Sequence, residues 1–156
     1  MTSVDLQRLA DRLEIGELLD RYAATLDESQ DPARFDEEWA RSVFTDDVRL
    51  SFPVGSREGI AGAVALHRHG MGRFVRTQHV VSNLVLDFAG DGARAGLRAN
   101  LLAAHVYVNG EGESLFVVGD WYEGGARRTG GGWRIDRLEL HVVWNMGRPP
   151  LDLVSA

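Results

Sequence analysis

His79 and His105 are the residues of this chain best suited to proton chemistry. Imidazole exchanges protons near neutral pH, and two such rings above small side chains would make an acid–base pocket. They lie in a stretch that reads TQHVVSNLVLD, then FAGDG, then ARAGLRANLLAAHVYV, from Thr77 to Val108. Gly90-Asp91-Gly92 is a hairpin signal between two strand-like runs. In the second run Leu97, Ala99, Leu101, Ala103, His105 and Tyr107 share one face by the period of two. A three-residue turn centred on Asp91 would pair His79 with Ala103. His105 would then be its diagonal neighbour, roughly 7–8 Å away between backbones. A slip of one residue would separate the two rings.

The elements that must position this hairpin are read in order. Thr2 or Ser3 can cap a helix to about Leu26. Its apolar residues form two stripes: Leu6, Leu9 and Leu13, then Ile15, Leu18, Leu19, Tyr22 and Leu26. The first stripe either covers a partner subunit or marks a bent or broken helix. Asp27 follows, where a carboxylate meets the negative pole of the helix dipole. It is either a solvated turn residue or a carboxylate held beneath a histidine. Asp31-Pro32 opens a second helix, expected to reach Val43. Thr45-Asp46-Asp47 reads as a turn and Val48 to Phe52 as a short strand ended by Pro53. Gly59 to Gly70 reads as a third helix. His67 and His69 near its end are two apart, not at the three or four of a helical metal clip, and are expected to be cations at the helix C-terminus. Beyond the hairpin, Ser114 to Tyr122 is a strand, Gly124 to Gly132 a long glycine-rich loop around Arg127 and Arg128, and Trp133 to Met146 the last strand. No helix follows that loop, so it lacks phosphate-cradling geometry. Helices first and strands afterwards argue for an α+β fold with an antiparallel sheet.

The bulk numbers set limits. The 156 residues suit one domain, 1–156. A net charge of -6 argues against a nucleic-acid partner. There are no cysteines, which removes thiolate nucleophiles and Cys-ligated metals. All 17 basic residues are arginine, so no lysine Schiff base can form. No apolar run approaches the roughly 18 residues of a membrane span and no signal-peptide core is present, so a cytoplasmic protein without a membrane partner is expected. Neither a metal nor any other cofactor is expected.

The blocks EIGELLDRYAATLD, FTDDVRLSFP, TQHVVSNLVLD and WYEGGARRTGGGWRI resemble, in that order, the SnoaL-like group of the nuclear-transport-factor-two-like superfamily. The resemblance covers Leu6 to Trp144. It implies a cone-shaped α+β barrel: a strongly curved antiparallel sheet covered by three N-terminal helices around a ligand-sized pocket. Members include cyclases, dehydratases, isomerases, epoxide hydrolases and non-enzymes, so the fold alone does not give function. Within it the scytalone dehydratase branch is similar in more detail. That branch uses an Asp at the end of the first helix and two histidines on neighbouring strands, the first within Thr-Gln-His. Asp27, His79 and His105 occupy the matching places. Two tyrosines of that branch are replaced by Leu26 and Phe52, and later polar residues by Phe116 and Val118.

The resemblance implies a cofactor-independent dehydratase, cyclase or isomerase acting on a small, mostly apolar, oxygenated molecule, polyketide-like and of secondary metabolism. His79, oriented by Asp27, would move the proton; His105 would be the second acid–base group or hold the leaving oxygen. Tyr22, Phe52, Asn83, Tyr107 and Trp121 are the candidate substrate walls. The alternatives are a non-catalytic binding or assembly module and, third, an epoxide hydrolase, for which Arg134-Ile135-Asp136, at the start of the last strand, is the one Arg-x-Asp outside the loops. A homodimer or other homo-oligomer is expected from the uncovered sheet face, with His141 or Trp144 at the contact.

Overall fold

The structure is a computed structural model that describes residues 2–28 and 31–151. Helix α1 spans Ser3–Glu28 as one continuous element, with Ile15, Leu18, Leu19, Tyr22 and Leu26 buried and Leu6, Leu9 and Leu13 exposed. The second helical segment differs from the sequence expectation. It divides into a single 3-10 turn, Pro32–Arg34, and a short helix α2, Glu37–Val43. Each piece has its own N-cap: Asp31 accepts from the Ala33 N–H and Asp36 from the Trp39 N–H. Two caps five residues apart restart the helix instead of extending it.

Strands β1 (Phe44–Phe52) and β2 (Gly55–Glu58) form a small hairpin, followed by α3 (Gly59–Met71). Thr45-Asp46-Asp47 is therefore strand, not turn. Thr45 is buried and Asp47 is paired to Arg127 at 2.6 Å, which fixes the extended chain there. Four long strands complete the fold: β3 (Arg76–Phe88), β4 (Arg94–Asn109), β5 (Gly112–Thr129) and β6 (Gly132–Met146). The six strands form one strongly curved sheet in the order β2-β1-β6-β5-β4-β3. All neighbours are antiparallel except β1 and β6, which lie parallel. That exception follows from connectivity, because the whole chain between them acts as the crossover a parallel pair needs.

The glycine-rich segment is also corrected. Arg127 and Arg128 lie inside β5, and only Gly130 and Gly131 turn the chain. Both guanidiniums are committed, Arg127 to Asp47 and Arg128 to Asp11, each at 2.6 Å. Here glycine permits close strand packing: a Cβ on Gly124 would stand 2.2 Å from the Arg137 carbonyl oxygen.

The β3–β4 hairpin places the two histidines. Phe88 lies opposite Ala95 and Leu86 opposite Leu97, yet Ser82 lies opposite Asn100 and His79 opposite Ala103. β3 thus carries one extra residue between Ser82 and Val85, a bulge in which Asn83 takes a φ of 55°. Unbroken alternation from the turn, with Leu84, Leu86 and Phe88 inward, would send His79 outward. The bulge resets the parity. The expected pairing is found, reached by a wider turn plus this extra residue. On β4 the inward row Ala95, Leu97, Ala99, Leu101 and Ala103 is buried, and its alanines leave room on the concave side.

Candidate active site

Between the concave sheet and the helices lies a cavity of about 290 Å³. This is the lower end of the roughly 300–1,000 Å³ usual for ligand pockets and suits a small molecule. Its lining is mostly apolar, with Leu26, Phe52, Val54, Leu66, Phe74, Leu101, Phe116 and Val118 among the walls. Of the described residues that line it, none is Arg.

Asp27, at the end of α1, reaches over β3. Its carboxylate accepts from the His79 ring Nδ1 at 2.7 Å, the His79 backbone N–H at 2.7 Å and the Thr77 hydroxyl at 2.8 Å. Burial alone would raise its pKa. The hydrogen bonds from His79 and Thr77 outweigh that and hold it below the ordinary carboxylate value. These same donors offset the cost of a negative charge at the helix C-terminus. With Nδ1–H given to Asp27, neutral His79 turns the lone pair of Nε2 toward the cavity it lines.

His105 stands edge-on to His79, with ring centres 5.3 Å apart. It packs between Phe74 and Phe116, and its Nδ1 lies 3.3 Å from the Phe116 carbonyl oxygen, so Nδ1 carries the hydrogen. Burial first, then the neighbouring His79, lowers its pKa to about 4. At neutral pH His105 is an uncharged ring whose free Nε2 accepts.

Sequence reasoning missed His67. It is buried in the cavity wall rather than charged at a helix end, with Nδ1 2.7 Å from the Ala63 carbonyl oxygen and Nε2 accepting from the Tyr22 hydroxyl at 2.8 Å. Burial lowers its pKa to about 4. The signal was available in the 3.6-residue period, which puts Ile60, Ala63, Val64, His67 and Met71 on one face. Asp120 was missed as well. It lines the cavity, is buried, and its Oδ1 has no hydrogen-bond partner among the described residues. Burial raises its pKa to about 7.

Tyr22 and Phe52 line the cavity. Asn83, Tyr107 and Trp121 do not. Asn83 is exposed in the bulge. Tyr107 lies beyond His105 and donates to the Arg148 carbonyl at 2.9 Å. Trp121 is on the outer sheet face, stacked on His141 at 4.2 Å because β5 alternation turns Asp120 and Tyr122 inward. Arg134 and Asp136 are also outside, bound to the Arg41 carbonyl and near Arg94. Among the described residues, the one trio of acidic and histidine side chains close enough to share an ion is Glu123, Glu139 and His141, on that outer face.

A strongly curved sheet closed by helices over a cavity is the architecture of the nuclear-transport-factor-two-like proteins. The chain belongs to the SnoaL-like domain family, whose model matches residues 7–139. No curated protein matches the sequence. Among solved structures, the Kfla4162 protein of Kribbella flavida is 27% identical, with 96% of this chain and 99% of that one aligned at a TM-score of 0.78. A Novosphingobium aromaticivorans protein provisionally named a scytalone dehydratase is 24% identical over 92% of this chain and 91% of its own, TM-score 0.78. Hexachlorocyclohexane dehydrochlorinase LinA-type3 of Novosphingobium barchaimii is 22% identical over 94% and 99%, TM-score 0.75. These likenesses establish the shared fold.

Proposed function

We propose that this protein is a cofactor-independent lyase, cyclase or isomerase that moves a proton on a small, largely apolar, oxygenated molecule. The observation that carries the reading is the Asp27–His79 pair at 2.7 Å opening on an apolar cavity. Asp27 fixes the tautomer that leaves Nε2 free to take a proton and stabilises the imidazolium that results. His105 offers a second lone pair within the same wall, suited to receiving a substrate hydroxyl. The dehydratase and dehydrochlorinase among the structural neighbours support elimination as the reaction type. A polyketide-like substrate of secondary metabolism and a cytoplasmic homo-oligomer belong to the same reading.

The test is solvent-deuterium exchange, followed by NMR, across a panel of small ketones, hydroxyketones and haloalkanes. His79→Ala should slow exchange or turnover by roughly 10²–10⁴-fold. Asp27→Asn should cost a similar factor, and the double variant little more, because the pair acts as a unit. Wild-type rates in both single variants would make the cavity a binding module.

A further inference from the structure

The hydrogen-bonding polarity of the cavity narrows its substrate. All three histidines in the wall commit Nδ1–H to an acceptor: His79 to Asp27, His105 to the Phe116 carbonyl, His67 to the Ala63 carbonyl. Their Nε2 atoms therefore hold lone pairs. The Tyr22 hydroxyl gives its hydrogen to His67. Asn145 also lines the cavity but is exposed, at its mouth. Among the described residues of the wall, the Tyr122 hydroxyl can donate, and Asp120, whose buried Oδ1 has no partner, can donate as the neutral acid.

Its surroundings favour that acid. Leu101 of β4 lies opposite it and Val142 of β6 on the other side. The titratable groups that share the cavity are Tyr122 on its own strand, Tyr22 from α1, His67 from α3, His79 from β3 and His105 from β4. None of these is a fixed cation, and Asp27 adds negative charge near Tyr122. A buried carboxylate without donor or counter-ion takes up a proton. Burial accordingly brings Asp120 to about 7.

We propose that Asp120, as a carboxylic acid, donates a hydrogen bond to the carbonyl oxygen of the substrate while His79 handles the proton, so that the substrate is a small carbonyl compound. This rests on the acid–base reading of His79. On a flat sheet, two strands and two residues separate the backbones of His79 and Asp120 by about 12 Å. His79 and Asp120 both line the one cavity on the concave side of that sheet. His79 Nε2 takes a proton from a carbon adjacent to, or conjugated with, the carbonyl. The C–H electron pair becomes a C=C bond and the carbonyl π pair moves to oxygen, where Asp120 donates. Collapse of this enol either expels a β-hydroxyl, which leaves as water with the proton from His79, or returns that proton to another carbon. No further reactant is required.

Phenols serve as the probe, because a phenol oxygen imitates the enol oxygen. Binding of 2-naphthol, read by fluorescence, should weaken about 10–100-fold in Asp120→Leu. Asp120→Asn keeps an N–H donor and should retain most of the affinity. In the wild type, affinity should fall as pH rises through about 7, and in Asp120→Asn it should not. His79→Ala should still bind 2-naphthol while failing in deuterium exchange. Equal affinity in wild type and both Asp120 variants, or a pH profile unchanged by Asp120→Asn, overturns the proposal and leaves the role of His79 standing. Normal exchange in His79→Ala overturns the acid–base reading instead. Circular dichroism checks the fold of each variant, and if Asp120→Leu does not fold, the pH profile of Asp120→Asn decides.

Discussion

His67 provides a quantitative test of the buried wall. Its ring is enclosed by Tyr22, Phe35, Trp39, Phe44 and Phe52, and both nitrogens are already hydrogen-bonded in the neutral form. Burial lowers its pKa from 6.5 to about 4. The unfolded chain therefore takes up a proton from about pH 6.5 downward, whereas the folded protein resists until about pH 4. The contribution to stability is fully present above 6.5 and lost as pH falls to 4. At about 1.4 kcal/mol per unit, the loss is about 3 kcal/mol. That is a large share of the 5–15 kcal/mol typical of a domain.

His67→Gln retains an acceptor for the Tyr22 hydroxyl and removes the titration. Urea unfolding followed by tryptophan fluorescence, from pH 7.5 to 4.5, gives the stability difference between wild type and variant. The advantage of wild type over variant should shrink by about 3 kcal/mol across that range. His105 loses stability in the same direction. Asp120 works the other way, because its raised pKa favours the folded state as pH falls from about 7. Both are common to the two proteins and cancel in the difference. A gap that does not change with pH would refute the assignment of His67 as a ring held neutral by burial.

The bulge and the outer face each give a simpler test. Asn83→Gly should leave stability, ligand binding and turnover close to wild type, since Gly accepts a φ of 55°, whereas Asn83→Val should cost about 1–2 kcal/mol in urea unfolding; loss of ligand binding in the Gly variant would return Asn83 to the site. Val80, Leu102 and Trp144 lie in one row across the exposed sheet face, so light scattering should give a multiple of the 17.2 kDa chain mass that Trp144→Arg reduces to the monomer; a monomeric wild type would end that expectation.

Strand β4 was legible because its inward row alternates without interruption, and alternation is the physical signature of a half-buried strand. Once β4 was placed, two histidines on one face followed. The bulge at Asn83 was not legible, since one residue in a left-handed conformation leaves no pattern in a strand of valines and leucines. Arg127 and Arg128 were misplaced for a related reason. Glycine signals a loop by its freedom, yet here it answers the need for two backbones to approach closely. His67 was hidden by its position near a helix end, where a surface cation is the ordinary expectation. Asp120 could have been found by parity, as the one acid on the inward row Phe116, Val118, Asp120, Tyr122.

Two buried acids show how the chain separates structure from chemistry. Asp11 is nearly inaccessible, and its oxygens are taken by Arg128, Gln7 and the Trp133 indole, which ties α1 to the β5–β6 turn. Asp120 is equally buried and has no such partner at Oδ1. Buried polar groups are ordinarily satisfied, because an orphaned one costs roughly 1–3 kcal/mol. Asp11 obeys that rule and needs no ligand to explain it. Asp120 breaks it in the cavity that His79 and His105 also line, the first of them held by Asp27 at the unfavourable pole of a helix. Departures from local stability that collect in one cavity mark the place where a ligand completes the structure.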